Sequence, residues 1–342
     1  MKNQMKTIEI VEPGLIRINE REKPAPGAGE ILLKVKYVGF CGSDLSSYLG
    51  KNPLVSYPRI PGHEISAVIE ELGADVPESF LKGQQVTVVP YTHCGQCMAC
   101  RQKRFNACEN NETLGVQRDG AMAGYISVPW QKVLSEDALN EKQLALVEPL
   151  TVGFHAVDNG MVTDWDTVLV IGCGMIGYGA IVRANLRGAT VIAADVDDVK
   201  LEKAKSAGAN YVINSVRQDL HEELMKITRG NGPSVVVEAV GRPETYQAAI
   251  QEVSFAGRVV CIGYASDEIQ FKTKLWVQKE LKIMGSRNAN PSDFESVIRF
   301  LKAGSLDETN LISDIVVPEE AGAAMQKWVE NPGKVMKILV RF

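Results

Sequence analysis

The sequence predicts an α/β protein with two domains, one rich in β-strands and one built around a doubly wound parallel sheet. The chain has 342 residues, enough for two domains of roughly 150 residues each. Short apolar runs bounded by glycine and proline fill its first part. From about residue 141, apolar strands alternate with helical stretches, which is typical of a doubly wound parallel sheet.

The sequence pattern of each part predicts its strands and helices. The first part predicts a partly antiparallel barrel or sandwich, with strands at residues 31–38, 65–69 and 85–89. The second part predicts strands at 167–171, 190–194, 234–238, 258–262 and 281–284, and helices at 177–187 and 199–207. Helices near 293–303 and 319–330 then lead to a last strand at 335–340, which we expect to return to the first domain. The predicted domains are residues 1–155 with 290–342, and residues 156–289.

Composition and charge exclude several classes of function. The formal net charge is −5, which is not the basic footprint of a nucleic-acid-binding protein. The longest apolar stretch, residues 168–182, contains four glycines and is too short to span a bilayer. No secretory signal is visible at the N-terminus. We therefore expect a cytoplasmic protein with a small-molecule ligand, and no nucleic-acid or membrane partner.

A dinucleotide-binding motif, G-x-G-x-x-G, follows a predicted strand and opens a predicted helix. Its glycines permit a tight turn, close approach of a pyrophosphate, and packing of the helix on the strand. The next strand ends in a carboxylate that can bind ribose hydroxyls and would repel a 2′-phosphate, so NAD is predicted over NADP. The alternative is a glycine-rich turn in an unrelated α/β protein. The predicted cofactor-binding residues are Gly172, Gly174, Met175, Ile176, Gly177 and Asp195.

Four of the seven cysteines have the spacing C-x2-C-x2-C-x7-C. Four thiolates at this spacing can close a tetrahedral shell around zinc, which leaves no open position and makes the ion structural. The alternatives are a redox C-x-x-C pair and an iron–sulfur cluster. Ferredoxin runs use other spacings and place a proline after the last cysteine, where this chain has Glu109. The predicted ligands are Cys94, Cys97, Cys100 and Cys108.

Three further segments each offer a zinc-compatible side chain, in Cys41, His63 and Glu148. A catalytic zinc keeps three protein ligands and one exchangeable position. Spacing alone does not assemble these residues into such a site. A buried thiol, a core histidine and a surface acid are equally compatible with the sequence.

The motifs, taken together, resemble the zinc-containing medium-chain alcohol dehydrogenase family across essentially the whole chain. The shared segments, in the family's order, are Cys41-Gly-Ser43-Asp44, Gly62-His63-Glu64, the four-cysteine run, Glu148-Pro-Leu-x-Val-Gly-x-His155-Ala and the nucleotide motif. The resemblance points to the branch of sorbitol, galactitol-phosphate and L-galactonate or L-gulonate dehydrogenases. It implies a GroES-like catalytic domain, a Rossmann NAD-binding domain, two zinc ions per chain, and a homodimer or homotetramer.

The resemblance also implies a catalytic site. Cys41, His63 and Glu64 are implied as ligands of the catalytic zinc, with Glu148 either binding the ion directly or holding its water. Zinc would act as a Lewis acid on a substrate hydroxyl while NAD accepts the hydride. Ser43 is implied to pass the hydroxyl proton outwards.

This sequence departs from the family near the implied substrate cleft. Ser46 stands where many relatives have the histidine that ends the proton relay. A hydroxyl is not a terminal base at neutral pH, so the relay would end in water or use Glu148. Gln117 and Gly124 stand where relatives commonly have histidine and glutamate, so the resemblance does not fix the substrate.

The substrate prediction depends on Arg287, in a segment that resembles the L-galactonate dehydrogenase group. A guanidinium can hold a carboxylate through two hydrogen bonds, which favours a sugar acid such as L-galactonate or L-gulonate. An arginine that contacts cofactor phosphate or a subunit interface is an alternative. A polyol or polyol phosphate is the alternative substrate, as in sorbitol and galactitol-1-phosphate dehydrogenases. An alternative of another class is a non-catalytic protein that binds NAD and zinc.

Overall fold

The computed structural model describes residues 4–265, 267–304 and 306–342. The chain forms two compact units, Met1–Glu148 with Val297–Phe342, and Pro149–Ser296. Both divisions fall inside helices, a few residues from the domain limits that the sequence predicts.

The secondary structure consists of strands and helices in the following order. The strands are β1 (Gln4–Glu12), β2 (Leu15–Glu22), β3 (Glu30–Phe40), β4 (Glu64–Leu72), β5 (Gln85–Val88), β6 (Tyr125–Pro129), β7 (Val133–Ser135), β8 (Thr167–Ile171), β9 (Thr190–Asp195), β10 (Tyr211–Asn214), β11 (Val235–Glu238), β12 (Arg258–Cys261), β13 (Lys282–Gly285), β14 (Ile312–Val316) and β15 (Lys337–Arg341). The helices are α1 (Gly42–Tyr48), α2 (Met98–Arg101), α3 (Glu141–Ala145), α4 (Val147–Asn159), α5 (Met175–Leu186), α6 (Asp198–Ser206), α7 (Leu220–Ile227), α8 (Pro243–Glu252), α9 (Lys274–Gln278), α10 (Pro291–Lys302) and α11 (Ala321–Glu330).

The first unit contains a seven-stranded sheet in the order β14-β15-β3-β4-β5-β7, with β6 also paired to β3, and a separate β1–β2 hairpin. All of its pairs are antiparallel except β14 with β15. Fully buried aliphatic side chains such as Ile31, Leu33, Ile65 and Ile69 form its core, which stabilises the unit by removing apolar surface from water. The last strand, β15, pairs with β3, and its residue Ile338 lies opposite Phe40 at the end of β3.

The second unit contains a six-stranded parallel sheet in the order β10-β9-β8-β11-β12-β13. Numbered from the first strand of the unit, this is the order 3-2-1-4-5-6 of the Rossmann fold, which confirms the predicted fold class. The valines of β8, β11 and β12 are buried, as expected for a sheet that is covered on both faces.

Candidate metal and dinucleotide sites

The four cysteines of the predicted structural site converge in one loop, and we call them the sulfur cluster: Cys94, Cys97, Cys100 and Cys108. Their sulfur atoms all lie within 4.8 Å of one another. Gly95 supplies a turn with φ of +75°, and helix α2 begins immediately after Cys97. This local geometry folds the first three cysteines back towards the fourth.

Zinc fits the sulfur cluster by its distances and its electrostatics. The Cys108 Sγ atom lies 3.6 Å from Cys94 Sγ and 3.9 Å from Cys97 Sγ. A tetrahedral zinc with Zn–S bonds of about 2.3 Å would separate its sulfurs by about 3.8 Å. Hydrogen bonds from the backbone N–H groups of Gln96 and Cys97 lower the pKa of the Cys94 thiol to about 6, which favours the thiolate that binds metal.

Three side chains of the predicted catalytic site also converge, and we call them the mixed-ligand group: Cys41, His63 and Glu64. Their ligand atoms lie within 4.8 Å of one another. Cys41 follows β3 and precedes α1, while His63 and Glu64 stand at the start of β4. Because β3 and β4 are antiparallel neighbours with Gly39 opposite Glu64, residues distant along the chain meet at one end of this strand pair.

Two glycines make room for the mixed-ligand group. A Cβ atom at Gly39 would clash with Glu64 Oε2. Gly62 has φ of +99°, and a Cβ there would lie 2.7 Å from Val38 Cγ1. Both positions therefore require glycine. A side chain at position 39 would displace the Glu64 carboxylate, and a side chain at position 62 would displace the turn that presents His63.

Asp44 ties the two segments of the mixed-ligand group together. Its carboxylate accepts hydrogen bonds from the backbone N–H groups of Cys41, at 2.8 Å, and Gly62, at 3.4 Å. The Asp44 side chain is buried, so it is held by the fold. The sequence motif included Asp44, but this bridging role was not predicted from it.

A cation fits the mixed-ligand group because its buried polar atoms are incompletely satisfied. His63 and Glu64 are 5% and 0% exposed. Within the described part of the chain, His63 Nδ1 and Glu64 Oε2 have no hydrogen-bond partner. Buried polar groups are almost always paired, so unpaired atoms among a thiol, an imidazole and a carboxylate fit a site that binds a metal cation.

The charges around the mixed-ligand group also favour a bound cation. Burial opposes protonation of His63, but the Cys41 thiolate and the Glu148 and Asp44 carboxylates raise its pKa well above the usual 6.5. Burial raises the pKa of Glu64 to about 7, and the nearby Glu148 carboxylate adds to this increase. An excess of buried negative charge thus favours positive charge at this point.

Lys337 supplies one such positive charge. Its Nζ atom donates hydrogen bonds to the Phe40 carbonyl at 2.9 Å and to Glu64 Oε1 at 2.5 Å. Burial disfavours the Lys337 ammonium, but the negative charges of Glu64 and Cys41 raise its pKa. This residue was missed in the sequence analysis, although a lysine within the apolar run of a predicted strand suggests a buried charge that needs a partner.

Glu148 stands close to the mixed-ligand group but outside it. It lies in the first turn of α4. The Tyr91 hydroxyl donates a hydrogen bond to Glu148 Oε1. No sequence signal singled out Tyr91.

Two predicted site residues remain, Ser43 and Arg287. The buried Ser43 Oγ atom has no hydrogen-bond partner among the described residues. Arg287 follows β13 in the second unit.

The second unit places the predicted dinucleotide motif at the carboxyl ends of β8 and β9. Gly172 has φ of +93°, Gly174 precedes the first turn of α5, and a Cβ at Gly177 would clash with the Gly172 carbonyl. The Asp195 carboxylate accepts backbone hydrogen bonds from Cys173 and Val196, both at 2.7 Å. These contacts fix the carboxylate beside the helix N-terminus, where a pyrophosphate binds.

Comparison with known proteins identifies the family. Residues 27–137 match the alcohol dehydrogenase GroES-like domain, and residues 176–303 match the zinc-binding dehydrogenase family. The chain is 35% identical to L-galactonate-5-dehydrogenase of Escherichia coli K12 over 341 residues, which covers 99% of this chain and 100% of the relative. It is 34% identical to sorbitol dehydrogenase of Bacillus subtilis, covering 95% of this chain and 94% of the relative.

Among solved structures, the NADH complex of an alcohol dehydrogenase from Escherichia coli CFT073 has a TM-score of 0.92 at 33% identity, covering 99% of this chain and 100% of that chain. The chain belongs to the zinc-type medium-chain alcohol dehydrogenase family. It is therefore a zinc-dependent oxidoreductase that uses a nicotinamide dinucleotide. Within the described residues, no helix has both the length and the apolar character needed to cross a bilayer.

Proposed function

We propose that the protein oxidises a secondary hydroxyl group of a sugar acid such as L-galactonate or L-gulonate, with NAD as the hydride acceptor. The carbon-bound hydrogen leaves with its electron pair to NAD⁺, the hydroxyl proton leaves to solvent, and the carbinol carbon becomes a carbonyl. The proposal rests on the likeness to L-galactonate-5-dehydrogenase along the whole chain. The half-buried Arg287 supports it, because an arginine can bind a substrate carboxylate in two-point fashion.

NAD is proposed over NADP because of Asp195. Its carboxylate is held at the end of β9 by backbone N–H groups, so it cannot easily turn away from the ribose. A fixed negative charge there accepts hydrogen bonds from ribose hydroxyls and repels a 2′-phosphate. Gly172, Gly174 and Gly177, with Met175 and Ile176 in the first turn of α5, would hold the pyrophosphate.

Two zinc ions per chain are part of the proposal. The sulfur cluster would hold one ion in a closed shell, and the mixed-ligand group would hold the other with an open position. When bound there, zinc supplies a Lewis acid for the substrate hydroxyl.

The chain's own residues would then orient charges and move a proton. Lys337 fixes one oxygen of Glu64, and the other, Oε2, has no hydrogen-bond partner among the described residues. Ser43, in the first turn of α1, would accept a hydrogen bond from the substrate hydroxyl and pass its own proton outwards. Ser46 cannot end this relay as a base, so the proton would leave through water.

A substrate panel tests the proposal. Initial rates would be measured with L-galactonate, L-gulonate, sorbitol, galactitol and galactitol 1-phosphate, each with NAD⁺ and NADP⁺. We expect kcat/KM to be highest for an aldonate with NAD⁺. Replacing Arg287 with Met should reduce kcat/KM for aldonates about 100-fold, the loss of a two-point contact worth about 3 kcal/mol, and affect neutral polyols little.

Arg287→Lys is the matched variant, since it keeps the charge and removes the planar fork. It should restore only part of the aldonate activity. Equal losses on aldonates and polyols in Arg287→Met would contradict the carboxylate contact.

A polyol is the second candidate substrate, favoured by the full-length likeness to sorbitol dehydrogenase. In that case sorbitol or galactitol would give the highest kcat/KM, and Arg287 would bind hydroxyl groups. Higher activity on galactitol 1-phosphate than on galactitol would instead indicate a polyol phosphate dehydrogenase.

We also propose that the protein forms a homodimer or homotetramer. Strand β13 lies at one edge of the six-stranded sheet, and its residue Ile283 is exposed, as is Val277 in the preceding helix. An exposed apolar sheet edge is a surface that proteins usually cover. Light scattering of the intact protein should give a mass of two or four chains.

A further inference from the structure

Tyr91 connects the two candidate metal regions of the first unit. It follows β5 and precedes the sulfur cluster by three residues. Backbone hydrogen bonds anchor it on both sides, from Leu114 to the Pro90 carbonyl at 3.1 Å and from Thr92 to the Glu112 carbonyl at 2.9 Å. The Tyr91 side chain is 5% exposed. Its hydroxyl is therefore held by a rigid frame that does not depend on the mixed-ligand group.

Glu148 accepts the hydrogen bond from this hydroxyl, and it is buried close to the mixed-ligand group. The Glu148 side chain is 3% exposed, and Tyr91 donates to its Oε1 atom. Its carboxylate interacts electrostatically with both His63 and Glu64, so it lies near the mixed-ligand group. Yet the ligand atoms that lie within 4.8 Å of one another come from Cys41, His63 and Glu64, and Glu148 is not among them.

A carboxylate in this position has two possible uses. It can become a fourth ligand, which would fill the exchangeable position that a catalytic ion needs. Alternatively, it can stay in the outer shell and orient a group that occupies that position. The hydrogen bond from Tyr91 engages one oxygen of Glu148 and resists movement towards the other three ligands.

We propose that Tyr91 is a positioning residue that holds Glu148 out of the coordination shell of the catalytic ion and so keeps the fourth position open. This inference rests on the proposed mixed-ligand zinc site, and it chooses between the two roles that the family resemblance implies for Glu148, namely binding the ion directly or holding its water.

The experiment compares Tyr91→Phe, Glu148→Gln and the double variant with the intact chain. Cobalt(II) would be exchanged into the mixed-ligand group while zinc remains in the sulfur cluster. The first readout is the visible absorption spectrum of cobalt(II), whose band positions respond when a carboxylate replaces the exchangeable ligand at the fourth position. The second is the rate at which a chelator removes the ion. Neither depends on finding the substrate.

Tyr91→Phe should release Glu148 to bind the ion. We expect its cobalt bands to shift, because a carboxylate replaces the exchangeable ligand at the fourth position, and its ion to leave about tenfold more slowly. The double variant should return both values to those of the intact chain, because the freed carboxylate is gone. Glu148→Gln alone should change neither value much, since Glu148 is not a ligand in the intact chain.

Tyr48→Phe is the matched control. Tyr48 is also buried in the first unit, and its hydroxyl donates to Gln326 at 3.4 Å. Its loss should leave the cobalt spectrum unchanged.

Unchanged bands and removal rate in Tyr91→Phe would overturn the proposal, as would a large spectral change in Glu148→Gln alone. The second result is available even if Tyr91→Phe does not fold. Failure of the intact chain to take up cobalt(II) at this group would contradict the proposed zinc site itself, which is a distinct outcome.

Discussion

The sulfur cluster and the mixed-ligand group differ in how the chain builds them. The sulfur cluster comes from one stretch of 15 residues, Cys94 to Cys108, and consists only of thiols. The mixed-ligand group brings together residues from the end of β3 and the start of β4. Lys337, in the last strand, forms an ion pair with its Glu64. The first is specified by spacing, and the second depends on strand pairing. A closed shell needs only its four ligands, whereas an open one also needs surrounding charges to hold its ligands in place.

The largest expected difference between the two regions is in activity. His63→Ala should remove the ion of the mixed-ligand group and lower kcat/KM by about 1000-fold or more, which corresponds to about 4 kcal/mol in the activation barrier. Cys100→Ser should instead remove the ion of the sulfur cluster, because Cys100 is buried among the other sulfurs. Steady-state kinetics, zinc content per chain and thermal unfolding would be measured for both variants.

The comparison requires the two variants to fail in different ways. His63→Ala should keep one zinc and lose only a few degrees in melting temperature. Cys100→Ser should also keep one zinc, but unfold at a lower temperature. A large loss of stability in His63→Ala with no loss of zinc would contradict the division into an open and a closed site.

The next effect concerns the buried charges that only the mixed-ligand group has. Lys337→Met leaves the Glu64 carboxylate buried without its ion-pair partner. Breaking such a pair costs about 3 kcal/mol or more, so the metal-free protein should be destabilised by about that amount. Zinc partly replaces the lost positive charge, so the zinc-loaded protein should be destabilised less.

Denaturant unfolding with and without zinc measures this difference. Lys337→Arg keeps the charge and should recover most of the stability. Equal destabilisation of the metal-free and zinc-loaded forms would mean that Lys337 does not balance the charge of the metal ligands.

The same contrast explains what could be predicted from the sequence. In the second unit, strand β8 matches the predicted residues 167–171, and the alternation of strands and helices is enough to predict a doubly wound parallel sheet. Strand β10, with four residues, and helices α7 and α8 were not predicted. Strand β10 is too short to show a period, and α8 begins at Pro243, a residue that is compatible with both a turn and the start of a helix.

The candidate sites follow the same rule. The dinucleotide motif and the sulfur cluster are local, so their residues could be read from spacing. The mixed-ligand group could be proposed only from a resemblance, because no spacing rule brings Cys41 to His63. Tyr91, Asp44 and Lys337 act through contacts made by the folded chain. Asp44 belongs to a motif and Lys337 interrupts an apolar run, but neither signal gives the contact that the residue makes.

The smallest expected effect is the response of stability to a chelator. The mixed-ligand group has an open position, so a chelator should remove its ion first, taking zinc from two ions per chain to one and activity to near zero. Because the sulfur cluster would keep its ion, the melting temperature should fall by only a few degrees, or about 1–2 kcal/mol for a protein of this size. Added zinc should restore activity. One tightly held zinc with full activity, or loss of both ions together, would show that the two regions do not differ in the way their ligands suggest.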